Sequence, residues 1–126
     1  MRITGQFPPA CEDRLRHAAR MIACHYAREL EPLHLPGVTM RYRAGMLSNW
    51  CIRWTWCRQP VILLSQGAFE DHDDYLGQSL MLALFRLREG WLAWLFRWLR
   101  LPDITSAQHE VSKAINAWRL IQKRED

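Results

Sequence analysis

A chain of 126 residues, 49% hydrophobic and 24% charged, is too apolar for intrinsic disorder. It is long enough for one domain that buries roughly two-thirds of its unfolded surface, without metal or disulfides to hold it. The net charge of +4 predicts a mildly basic surface, and no stretch of 18 residues is free of charge, which argues against a transmembrane helix.

In chain order, residues 1–10 read as a flexible N-terminal arm closed by Pro8 and Pro9. Residues 11–30 have the period of an amphipathic helix. Leu15, Ala18, Ala19, Ile22, Tyr26 and Leu30 share one face, while Arg14, Arg16, His17, Arg20 and Arg28 cover the rest. The segment EPLHLPG (31–37) is a loop.

The period then changes to two. Val38, Met40 and Tyr42 alternate with Thr39, Arg41 and Arg43, and Trp50, Ile52, Trp54 and Trp56 alternate with Cys51, Arg53 and Thr55. One antiparallel register satisfies both strands, with Arg43 opposite Cys51, Arg41 opposite Arg53 and Thr39 opposite Thr55. It sets Met40 beside Trp54 and Val38 beside Trp56 on the other face; a slip by one would bury every Arg among the tryptophans. Pro60 opens a third, wholly apolar strand over 61–64, expected to be covered on both faces and so to be central or to lie beneath helices.

Helix follows from Glu70, with acids at 70, 71, 73 and 74 where the helix dipole favours them. An unbroken helix over 71–101 would be about 46 Å long, against a radius of gyration near 14 Å for a compact domain, roughly. A break near Gly90 is therefore expected. Pro102 ends the element, and Thr105 with Gln108 forms a capping box for a last helix whose apolar stripe is Val111, Ala114, Ile115, Trp118 and Ile121. The expected fold is α+β: an N-terminal helix, a three-stranded antiparallel meander, then two or three C-terminal helices in a single domain.

Charge gives the first functional signal. Residues 1–60 carry nine Arg against four acids, whereas 61–126 carry eight basic and nine acidic groups; only Lys113 and Lys123 among the cations are not Arg. Arginine's planar fork suits phosphate and carboxylate, although coding in a GC-rich genome yields the same excess. Arg41, Arg43 and Arg53 cluster on the outer face of the expected hairpin with Arg58 at its end, and two directly opposed arginines repel unless an anion lies between them. Arg14, Arg16 and Arg20 on the first helix add to this candidate phosphate-binding footprint. The alternatives are a solvated face or pairing with the 70–74 acids. The tryptophans of the hairpin fall on its core side, so no exposed aromatic is expected there for base stacking.

The second signal is WLAWLFRWLRL (91–101), richer in Trp and Leu than one buried stripe needs. Trp91, Trp94, Arg97 and Trp98 are its candidate partner contacts, for a protein partner or a second copy; an interfacial membrane helix with Arg97 and Arg100 at its polar edge is the less favoured alternative. The competing reading is a central helix wrapped by its neighbours.

Other chemistry lacks its residues. Cys51 and Cys57 would stand roughly 20 Å apart in continuous strand, and His17 and Cys24 about 10 Å apart on a helix, so no metal site is expected. Glu70, Asp71, His72, Asp73 and Asp74 lack calcium-loop spacing, no serine sits in a nucleophile motif, and no cofactor is implied. Four cysteines without a CxxC pair and an N-terminus without an apolar leader predict a cytoplasmic protein with reduced thiols. The order helix, hairpin, apolar strand, helix is similar to that of SprT-like zinc peptidases. Their metal-binding helix carries HExxH where this chain has SLMLA (79–83), so neither metal nor activity carries over.

The expectation is a non-catalytic protein that engages an anionic partner, nucleic acid or a protein–nucleic-acid assembly, through its Arg-bearing strands. A protein-interaction module using residues 91–101 is the alternative. The first reading requires that 38–56 pair as proposed and that the guanidinium groups stay clear of the chain's own carboxylates.

Overall fold

The computed structural model describes residues 1–31, 33–70, 73–99 and 104–125, and their side chains except at 73, 93, 96–98 and 104–107. The elements run β1 (Arg2–Thr4), α1 (Pro9–His25), a single 3₁₀ turn (Leu35–Gly37), β2 (Thr39–Tyr42), β3 (Trp50–Trp54), β4 (Pro60–Leu64), a short α2 (Gly67–Glu70), α3 (Asp73–Arg88), α4 (Trp91–Leu99) and α5 (Ile104–Glu125). The class is α+β, as expected.

The sheet is not a meander. Its strand order is β1-β2-β4-β3, with β1, β2 and β4 parallel and β3 antiparallel to β4. The expected β2–β3 hairpin does not form, because the seven-residue connection 43–49 crosses the end of β4 and delivers β3 to its far side. Ser65 pins that crossing: its backbone N–H donates to the Asn49 carbonyl at 3.0 Å and its hydroxyl lies 3.2 Å from the Ser48 and Asn49 carbonyls. The gain is burial. A meander would leave the most apolar strand, β4, at an edge, whereas the observed order sets it between two amphipathic strands.

Residues 1–10 are also more than an arm. Arg2, Ile3 and Thr4 pair in parallel with Thr39, Met40 and Arg41. Phe7 is buried against the Tyr42 and Phe69 rings, at centroid distances of 5.4 Å and 6.0 Å.

Period two nevertheless assigns the residues of β2 and β3 to the correct faces. Met40, Ile52, Ile62 and Leu64 are buried with Leu15, Ala18, Ile22, Leu76, Leu80 and Leu84 in one cluster, so α1 and α3 cover this side of the sheet. Each of these Leu, Ile and Met side chains contributes about 1.5–3 kcal/mol on burial. Leu63 faces the other way, stands apart from that cluster, and is still buried by its neighbours. Thus β4 is central, as expected, and among the described residues the helices α1 and α3 cover the face that carries Ile62 and Leu64.

Helix boundaries follow local chemistry. Pro9 opens α1 with its fixed φ. Gly90, at φ 94°, separates α3 from α4 at the expected break. On α5 the buried stripe is Ala114, Ala117, Trp118 and Ile121; Val111 is exposed and Ile115 only partly buried, so the helix is rotated from the expected face. The Thr105 side chain of the expected capping box lies outside the described residues.

Candidate nucleic-acid interface

The open face of the sheet is built from two rows read off the register. Across β1, β2, β4 and β3 the first row is Arg2, Thr39, Val61, Arg53, and the second is Thr4, Arg41, Leu63, Cys51. Arg43 extends β2 beyond them, its N–H donating to the Leu64 carbonyl at 2.9 Å. Arg2, Arg41, Arg43 and Arg53 are all exposed. Arg41 and Arg53 are not opposed, as the hairpin register required. They stand two strands and two residues apart, about 12 Å between Cα atoms, with Val61 and Leu63 between them. That spacing removes the repulsion that would have demanded an intervening anion, and leaves separate cations around an apolar centre.

Arg58 belongs to the turn between β3 and β4. The Thr55 N–H donates to the Gln59 carbonyl at 3.0 Å and the Arg58 N–H to the Thr55 carbonyl at 2.8 Å. These bonds close a three-residue loop whose last residue takes a left-handed conformation. Arg58 occupies that position at φ 60°, at a cost of about 1–2 kcal/mol that glycine would avoid. Its guanidinium lies 4.9 Å from the centroid of the Trp91 ring, which ties the turn to α4.

None of Arg2, Arg41, Arg43, Arg53 and Arg58 makes an ion pair among the described residues; the pairs there are Arg16–Glu12, His25–Glu125, Arg86–Glu110 and Arg124–Glu29. Of the acids at 70–74, Glu70 is exposed, and Asp74 accepts from Trp118 Nε1 and Gln122 Nε2 rather than from any strand arginine. Asp71, His72 and the Asp73 side chain lie outside the described residues.

The arginines of α1 do not join this surface. Arg14 turns inward: its Nη1 donates to the Phe69 carbonyl at 2.7 Å and its guanidinium lies over the Phe69 ring, so it fastens α1 to α2 instead of reaching solvent. Arg16 pairs with Glu12 at 2.7 Å and Arg20 contacts His17 Nδ1 at 3.2 Å. Both are exposed, but on the helix-covered side of the sheet.

On α4, Trp91 and Trp94 are half-buried and Trp94 packs against the core, whereas Leu92 and Leu99 are 61% and 67% exposed. The Arg97 and Trp98 side chains lie outside the described residues. Among the described residues no group of three or more His, Cys, Asp and Glu could hold a metal ion, and no helix is long and apolar enough to cross a membrane.

Two residues escaped the sequence reading. Arg2 was hidden by the brevity of β1, although Arg2, Ile3 and Thr4 already alternate. Trp56 was assigned to the core by extending the β3 alternation past Trp54, but the chain reverses at Thr55 and leaves Trp56 95% exposed. No protein-family model, curated protein or solved structure matches this chain.

Proposed function

We propose that this protein is a non-catalytic, cytoplasmic binding module whose open sheet face engages an anionic partner, nucleic acid or a protein–nucleic-acid assembly. The observation that carries this reading is that Arg2, Arg41, Arg43, Arg53 and Arg58 are exposed without a carboxylate partner among the described residues. Uncompensated guanidinium groups on a common surface raise its potential and offer paired donors to phosphate oxygens. The failure of the hairpin register does not disturb this argument, because the face assignment of each arginine is unchanged. Arg14 leaves the proposed set, and Arg16 and Arg20 are not needed for it. The test is the double variant Arg41→Glu with Arg53→Glu, applied to an immobilised DNA or heparin column. Both side chains are exposed, so circular dichroism stays as in the parent while retention is lost; unchanged retention rejects the reading.

A second reading, a protein-interaction surface on α4, is favoured by Leu92 and Leu99. They lie seven residues apart on one helical face and are both largely solvated. In this reading the leucines, rather than the half-buried Trp91 and Trp94, anchor a protein partner or a second copy.

A further inference from the structure

Trp56 is one of seven tryptophans and is 95% exposed, while Trp118 is buried and Trp50, Trp54, Trp91 and Trp94 are half-buried. A solvated indole contributes nothing to the core, and its large apolar face is unfavourable in water. It opens the three-residue loop 56–58, whose other end is Arg58. Trp56 lies three positions beyond Arg53, so their Cα atoms are at most about 11 Å apart. Arg53 in turn ends the row Arg53, Val61, Thr39, Arg2 across the sheet. A solvated aromatic side chain is therefore carried by the turn that adjoins the strand end at Arg53, the edge of the cationic row. The turn that carries it is held to α4 by the Arg58–Trp91 stack, in a backbone conformation that arginine adopts only at a cost.

The two features together select among nucleic acids. Phosphates alone would be met by a duplex at least as well as by a single strand. An exposed ring is useful only to unpaired bases, because every base has a π-face but a duplex keeps those faces stacked internally. Resting on the reading of the open face as a phosphate-binding surface, we infer that the partner is a single-stranded polynucleotide. Trp56 stacks one unpaired base, Arg53 holds a phosphate beside it, and Arg41 and Arg2 hold phosphates farther along the strand.

The experiment uses the full chain and fluorescence anisotropy with labelled oligothymidylate and oligouridylate of about twelve nucleotides, and a blunt duplex of the same length. Both single strands bind more tightly than the duplex. Trp56→Ala, at a solvated position that leaves folding intact, weakens single-strand binding roughly 5- to 100-fold and leaves duplex binding unchanged. Trp56→Phe retains most of the affinity. Oligothymidylate also quenches part of the intrinsic tryptophan emission, and that part is missing in Trp56→Ala. Two results would overturn the inference and are distinguishable. If Trp56→Ala binds oligothymidylate as the parent does while Arg41→Glu with Arg53→Glu abolishes binding, the phosphate-binding face stands and the base-stacking role falls. If the parent binds none of the three probes, both fall.

Discussion

The indole of Trp118 occupies the space that a side chain at position 77 would need: a Cβ on Gly77 would stand 2.1 Å from Trp118 Cε2 and 2.3 Å from Cζ2. The contact lies in the interface between α3 and α5, where Asp74, one turn before Gly77, also accepts the indole N–H at 3.4 Å. Gly77 is thus a mid-helix glycine kept for close packing, against its propensity cost. Gly77→Ala gains about 1 kcal/mol of helix propensity, but overpacking of a filled interface costs about 1–3 kcal/mol. Trp118 is buried and hydrogen-bonded, so the second effect wins, and the thermal midpoint falls by several degrees. A midpoint that rises would mean that the indole swings aside without loss.

How far the sequence could be read depends on which physical constraint each residue records. Alternation in β2 and β3 records burial, so it places Arg41, Arg43 and Arg53 on one face and Met40, Ile52 and Trp54 on the other. It does not record which strand lies alongside. That was set by the wholly apolar β4, whose burial is greatest in the middle of the sheet, and by a connection over 43–49 longer than the two to five residues usual in hairpins, roughly. The break at Gly90 was legible because a length argument needs no side-chain detail. Arg14 was not, because helical spacing puts its Cα on the polar face while its long side chain folds back to the Phe69 carbonyl. Of the candidate surface, the strand arginines were therefore legible and their neighbours Arg2 and Trp56 were not.

The composition of that surface fixes a salt dependence. If about four phosphates are neutralised on a single strand, log Kobs falls with log salt at a slope of about −3. Arg2→Ala, at a residue whose place in the surface comes only from β1 pairing, reduces the slope by about 0.7. Arg16→Ala and Arg20→Ala leave the slope unchanged, since α1 lies on the covered side. Arg14→Ala acts differently. It strands the Phe69 carbonyl and lowers stability by about 1–3 kcal/mol, with no change in the affinity of the folded protein. Equal slopes for the parent and Arg2→Ala would remove Arg2 from the interface.

The C-terminus of α5 is tied to α1 by an acid-sensitive contact. His25 Nε2 lies 2.6 Å from Glu125 Oε2. The hydrogen bond from His25 is the main cause that holds the Glu125 carboxyl below its ordinary pKa, with the charges of His25, Arg20 and His17 adding to it. A carboxyl whose folded pKa is depressed contributes stability that is complete above its unfolded pKa and is lost as pH falls through the folded one. The group is accessible to water, so the contribution is small and weakens with salt. In Glu125→Gln the urea midpoint falls less steeply than in the parent as pH is lowered through the carboxylate range. Parallel acid limbs for the two proteins would show that the contact does not contribute to stability.

The apolar stripe of α4 separates the two functional readings. Leu92, Leu95 and Leu99 follow the spacing i, i+3, i+7, and the outer two are largely exposed, whereas Trp94 on the adjoining face packs into the core. If that stripe anchors a second copy of the chain, light scattering gives a mass that rises with protein concentration, and Leu92→Glu with Leu99→Glu holds it at the monomer value without unfolding the chain. Such an association is driven by apolar burial and barely responds to added salt, whereas phosphate binding by the open face weakens steeply. The charge reversals Arg41→Glu and Arg53→Glu would not disturb it, because those side chains project from the sheet face opposite the one that α1 and α3 cover. A monomer at every concentration would leave Leu92 and Leu99 without a self-association role and return the weight of function to the arginine-bearing face.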